Sequence, residues 1–127
     1  MKILDPKIHG ILDYAVVVAF AVAPSVVGLA GLPAAILYAL AAIHLLLTLV
    51  TDFPLGVAKI VPLRVHGAIE LIVSLALVAL PWILNFSSDP TARVFYVVAG
   101  VVIFAVWLIT DYRGAATSQY TGAPQSH

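Results

Sequence analysis

Four apolar runs organise the chain. Residues 6–28, 33–50, 63–86 and 91–112 are almost continuously hydrophobic, with polar, glycine- or proline-bearing segments between them. Such lengths match the roughly twenty residues a helix needs to cross about 30 Å of hydrocarbon. Backbone N–H and C=O groups cannot stay unpaired in lipid, so each run is predicted as a helix rather than an open strand. Asp5-Pro6 predicts the first helix start: a capping carboxylate, then a proline where its missing N–H costs nothing. Ser88-Asp89-Pro90 does the same for the fourth. Gly28 to Gly31 predicts a turn. Pro33 opens the second helix, which ends around Thr51-Asp52-Phe53, before Pro54 and Gly56. The connection to Pro62 carries Lys59 and is apolar enough to lie along a membrane surface. Pro24 and Pro81 fall late in their runs and predict a kink or an early helix end. The predicted fold class is all-α: one four-transmembrane-helix domain over residues 1–112, then a polar, disordered tail over 113–127.

The polar positions repeat. Lys7-Ile8-His9-Gly10-Ile11-Leu12-Asp13 returns 57 residues later as Arg64-Val65-His66-Gly67-Ala68-Ile69-Glu70. In each copy a proline follows the histidine by fifteen residues, at Pro24 and Pro81. Thr51-Asp52-Phe53 matches Thr110-Asp111-Tyr112 at an offset of 59. These matches predict a tandem duplication of a two-helix hairpin, over about 5–53 and 61–112. Two crossings per unit give both copies the same orientation, a parallel repeat about an axis along the membrane normal.

Composition agrees with a membrane location. Of 127 residues 63% are hydrophobic and 9% charged, with mean hydropathy +1.12, too few polar groups to cover a soluble domain. Zero net charge leaves no basic patch for a nucleic acid. Without cysteine there are no disulfides, thiolate ligands or thiol nucleophiles. Lys2, Lys7 and the run ending Ala21-Val22-Ala23 imitate a signal peptide, but Asp13, the proline after Ala23 and the internal twin oppose cleavage. Lys2, Lys7, Lys59, Arg64 and Arg113 lie on the side of the N-terminus, against Arg93 alone on the other. The positive-inside rule then puts both termini in the cytoplasm.

The duplicated polar residues converge on that cytoplasmic side: His9, Asp13 and Asp52 from the first hairpin, His66, Glu70 and Asp111 from the second. The i,i+4 spacing places His9 with Asp13, and His66 with Glu70, on one helical face, and Ser74 extends the second stripe. Asp13 and Glu70 lie in early turns, where the helix dipole favours negative charge. Asp52 and Asp111 lie at C-terminal ends, where it does not, and so call for a nearby donor or cation. Three readings compete for this set. The leading one is structural: hydrogen bonds that seal helix packing, in a protein of accessory role. The second is a metal site, two histidines and four carboxylates suiting zinc, iron or manganese, with membrane redox chemistry as its use. The third is a proton or ion pathway, against which the far half of the bundle is almost wholly apolar.

His44 has no twin; its counterpart near Ile103 is apolar. It reads as a buried histidine bonded to a neighbouring helix, with haem ligation as the alternative. His127 ends the tail and carries no role. Trp82, Phe86, Tyr96, Trp107 and Tyr112 lie close to predicted helix ends, where an interfacial aromatic belt explains most of them. Ala15, Ala19 and Ala23 form a small-residue stripe, and Ala35, Ala39 and Gly100 are expected to receive close neighbours. A bundle this small is expected to associate with itself or with a larger membrane complex. No nucleophilic triad, phosphate loop or dinucleotide fingerprint is present, so no catalytic residue is assigned.

Leu80-Pro81-Trp82, a short loop, and an apolar helix carrying Gly100 resemble the SPW-repeat family of small prokaryotic membrane proteins. The resemblance is best over Val65 to Trp107 and weaker over His9 to Val50. The family's serine is Leu80 here, and the first copy reads Ala23-Pro24-Ser25 without tryptophan. The resemblance implies paired transmembrane helices and a membrane location; it implies no activity.

Overall fold

The computed structural model describes residues 3–112. Lys2, Arg113, His127 and the tail over 113–127 lie outside the described residues. Four helices form, α1 (Pro6–Val27), α2 (Gly31–Val50), α3 (Leu63–Ile83) and α4 (Pro90–Ile109). Each is long and apolar enough to cross a membrane; at 1.5 Å per residue, the 22 residues of α1 extend about 33 Å. Large hydrophobic side chains cover the outside, with Val26 75% and Ile72 67% exposed, as lipid rather than water would permit. This is the architecture of a multi-pass membrane protein.

The helix starts are built as their sequences predict. The Asp5 side chain accepts from the Ile8 N–H, and Asp89 accepts from the Thr91 and Ala92 N–H groups, with Pro6 and Pro90 following. Pro24 and Pro81 sit in the last turns, and their carbonyls receive the next chain reversal: Leu29 N–H donates to Pro24 O, Phe86 N–H to Pro81 O. Both reversals need a left-handed residue, Gly28 at φ 76° and Asn85 at φ 62°. α3 stops at Ile83 and α4 at Ile109, each three residues short of the sequence expectation, and α2 begins two residues before Pro33.

α1 packs on α2, and α3 on α4. The hairpins are stitched together at one end by short backbone pairs. β1 (Thr51–Asp52), leaving α2, pairs in parallel with β2 (Val61–Pro62), leading into α3. Leu4, leading into α1, pairs in parallel with Thr110, leaving α4. The segment between α2 and α3 is folded back on the helix end, Val57 and Ala58 both donating to Leu49 O.

The core differs from expectation in two respects. Ala15, Ala19, Ala35 and Ala39 face outward; Ala23, Ala34, Ala41 and Ala92 are the buried small residues. Gly100 does receive a neighbour, since a Cβ there would stand 2.6 Å from Ser74 O. Tyr96 and Phe86 are core residues rather than belt residues: Tyr96 is fully buried, donates to Pro33 O at 2.6 Å, and meets the Phe86 ring edge-on. A buried Tyr hydroxyl must find an acceptor, and a helix N-terminal carbonyl across the bundle provides one.

Candidate metal centre

The stitched end brings the starts of α1 and α3 face to face. Two glycines there make room for the aromatic residues that follow α2 and α4. The Phe53 ring lies where a Cβ on Gly10 would be, and a Cβ on Gly67 would stand 2.9 Å from Tyr112 Cε1. One helical position before each glycine is a histidine and three after it a carboxylate, so His9, Asp13, His66 and Glu70 point into the same interior space. Each offers a ligand atom, and these atoms all lie within 4.8 Å of one another. Both histidines are fully buried, and Asp13 and Glu70 nearly so.

The four form a closed ring. His9 Nε2 stands 3.1 Å from Asp13 Oδ1 and 2.7 Å from Glu70 Oε1. His66 Nε2 stands 3.0 Å from Asp13 Oδ2 and also contacts Glu70 Oε1. Neither contact of His66 is aligned as a hydrogen bond: its Nε2 and Asp13 Oδ2 are buried without a bonded partner. Metal–ligand bonds of about 2.0–2.2 Å place neighbouring ligand atoms on the order of 3 Å apart, the separation seen here.

The other ring nitrogens are held from behind. His9 Nδ1 lies 2.8 Å from Thr110 Oγ1, and His66 Nδ1 2.8 Å from Thr51 Oγ1. Each threonine hydroxyl already donates to the carbonyl four residues back, Thr110 to Val106 O and Thr51 to Leu47 O. A hydroxyl has one hydrogen, so its oxygen accepts and the imidazole Nδ1–H donates. This assigns both tautomers and leaves both Nε2 atoms turned to the carboxylates. An Nε2 lone pair facing a carboxylate is repulsive unless a cation lies between. Two protons on the imidazoles, or one divalent ion among neutral imidazoles, each bring the two-carboxylate set to zero charge. A buried set in a low-dielectric interior requires such neutrality.

The remaining sequence candidates fall differently. Asp52 and Asp111 lie outside the four-residue ligand set, and from each matched tripeptide the threonine bonds a histidine. The signal was the repeat itself, in which Thr51 and Thr110 match as well as the aspartates do. His44 comes from α2, its Nε2 3.5 Å from Asp13 Oδ1, a neighbour of the set. The cavity beside it is about 30 Å³, far too small for a haem macrocycle. Tyr112, read as a belt residue, meets His9 edge-on at 5.4 Å between ring centroids. Burial, and then the charges of Glu70 and Asp13, push its phenol well above the ordinary range, so it stands over the site as a neutral phenol whose buried hydroxyl has no hydrogen-bond partner.

No family model matches the sequence, and comparisons with curated proteins and with solved structures find no match.

Proposed function

We propose that this protein holds one divalent first-row transition-metal ion inside the membrane bundle, on His9, Asp13, His66 and Glu70. The observation that carries this reading is the buried four-ligand ring, with both histidines fixed at Nδ1 by threonines. Ligating histidines are commonly oriented in this way by a partner on the second ring nitrogen. Two imidazoles, two carboxylates and no thiolate suit iron(II), manganese(II) or zinc(II), and the carboxylate share favours the harder ions. The accessory, purely structural reading is its rival. Proton translocation has less support, because the buried polar side chains among the described residues gather in the histidine-bearing half.

The same proposal includes a tandem origin for the two hairpins. The proline reversals, the left-handed Gly28 and Asn85, and the two backbone stitches recur at the sequence offsets, which supports it. It places the chain among SPW-repeat-like proteins of the prokaryotic inner membrane, termini and metal site toward the cytoplasm; the five-to-one bias of basic residues supports that orientation.

Metal analysis of the full chain, purified in detergent and reconstituted with iron(II), manganese(II) or zinc(II), tests the site. About one ion per chain is expected, lost in the His9→Ala, His66→Ala double variant. A wild-type protein that retains no ion after reconstitution would return the cluster to a structural role.

A further inference from the structure

A small cavity lies against the ligand ring. Val16, Phe20 and Val73 wall it, and its polar residues are His44 and Glu70. It has a volume of about 30 Å³. That exceeds the roughly 10–15 Å³ which one water-sized probe occupies, yet it is too small for a quinone ring or a macrocycle. Apolar cavities of this kind stay dry and take up apolar atoms and small molecules instead. Ile43 lies at its rim and is 60% exposed on the outer face, where the bundle is covered by hydrocarbon side chains. Access is therefore from the membrane interior, the phase in which apolar gases concentrate.

The polar end of this cavity is specific. Glu70 belongs to the ligand ring. Among the described residues His44 is the one histidine without a twin; the matching place on α4 holds Ile103, which lines the same cavity from the other hairpin. The His44 imidazole, 16% exposed and 3.5 Å from Asp13, gives this otherwise apolar cavity a polar group beside Glu70.

Resting on the metal reading above, we infer that this cavity binds a dissolved diatomic gas of the dioxygen and nitric oxide class beside the metal, with His44 as its hydrogen-bond donor. Size selects the diatomic, the apolar walls exclude water and ions, and the ring supplies the metal that makes binding more than partition.

Nitric oxide is the probe, added anaerobically to the full-length, iron(II)-loaded protein in lipid nanodiscs. A near-stoichiometric iron–nitrosyl signal by electron paramagnetic resonance is expected. Val73→Phe and Val16→Phe fill the cavity without touching the ligands, and each is expected to keep its iron and weaken nitric oxide binding at least tenfold. His44→Leu is expected to keep iron and nitrosyl and to shift the N–O stretching band. Xenon under pressure, read from the valine methyl resonances of the metal-free protein, tests the cavity even if a filled variant fails to fold; selective shifts at Val16 and Val73 are expected. Iron uptake without a nitrosyl signal overturns the gas site and leaves the metal reading standing. Undiminished nitric oxide binding in folded filled variants, or no xenon shift, overturns the cavity as its location. An unmoved N–O band removes His44 from it, and failure to take up any metal overturns both readings together.

Discussion

His9 of α1 donates its Nδ1–H to Thr110 of α4, 2.8 Å away and 101 residues along the chain. His66 repeats the contact with Thr51 at 2.8 Å. Thr110→Val and Thr51→Val each leave a buried N–H unpaired, at a cost of about 1–3 kcal/mol. They also free the imidazole to rotate, for which metal affinity is expected to fall roughly 10–100-fold. Thr→Ser at either position keeps the acceptor and should restore most of both. Metal titration and thermal unfolding in detergent measure the two effects.

Gly10 and Gly67 test how closely the caps must sit. Gly10→Ala drives a methyl into the Phe53 ring, and Gly67→Ala meets Tyr112 Cε1 at 2.9 Å. Overpacking of this kind costs about 1–3 kcal/mol, with Gly10 the more severe. Phe53→Leu combined with Gly10→Ala should recover part of the loss. A strictly additive double variant would show that the ring is not what Gly10 accommodates.

Tyr96→Phe is the converse case. It removes the bond to Pro33 O in the half of the bundle away from the histidines. Stability should fall by about 1 kcal/mol, while metal stoichiometry stays at the wild-type value. A drop in bound metal would mean that the two halves are coupled.

Metal uptake should release protons. If the resting ring is kept neutral by protons on the imidazoles, a divalent ion displaces about two of them. Affinity then rises with pH, because the proton competes for Nε2. Calorimetry in buffers of different ionisation enthalpy gives the count; none released would show that the resting ring is balanced in another way.

Orientation is accessible because the chain has no cysteine of its own. Single substitutions Ala58→Cys and Ser88→Cys place thiols in exposed connections at opposite ends of the bundle. With the termini cytoplasmic, an impermeant maleimide applied to whole cells should label Cys at 88 and spare Cys at 58; the reverse pattern would invert the topology.

Much of this arrangement is written locally. Run length and the Asp-Pro starts mark the four helices, because hydrocarbon leaves the backbone no alternative. The i,i+4 pairs mark His9 with Asp13 and His66 with Glu70, because a helix has one periodicity. The partners at the helix ends are harder to read. α2 ends at Thr51 in an extended conformation, φ −81° and ψ 140°, and α4 ends at Thr110 likewise. In extended backbone successive side chains point to opposite sides, so the threonine that faces inward turns its neighbouring aspartate away. Which face of an apolar helix meets lipid is also hidden. Ala19 and Ala23 share one stripe, yet only Ala23 is buried, and no polarity contrast separates them. The burial of Tyr96 is hidden for a related reason: its hydroxyl bonds to Pro33, 63 residues away, and neighbouring sequence carries no trace of that partner.

The spacing of the histidines and carboxylates also has a consequence for biogenesis. Each pair lies on a single helix, His9 beside Asp13 and His66 beside Glu70. A helix emerging into the bilayer before its counterpart therefore carries base and acid as a self-compensated unit, without waiting for a distant residue to relieve a bare charge. Only when the second hairpin arrives can each histidine share the other's carboxylate. With a second proton on each imidazole, docking then proceeds as an exchange of partners between two couples that are already neutral.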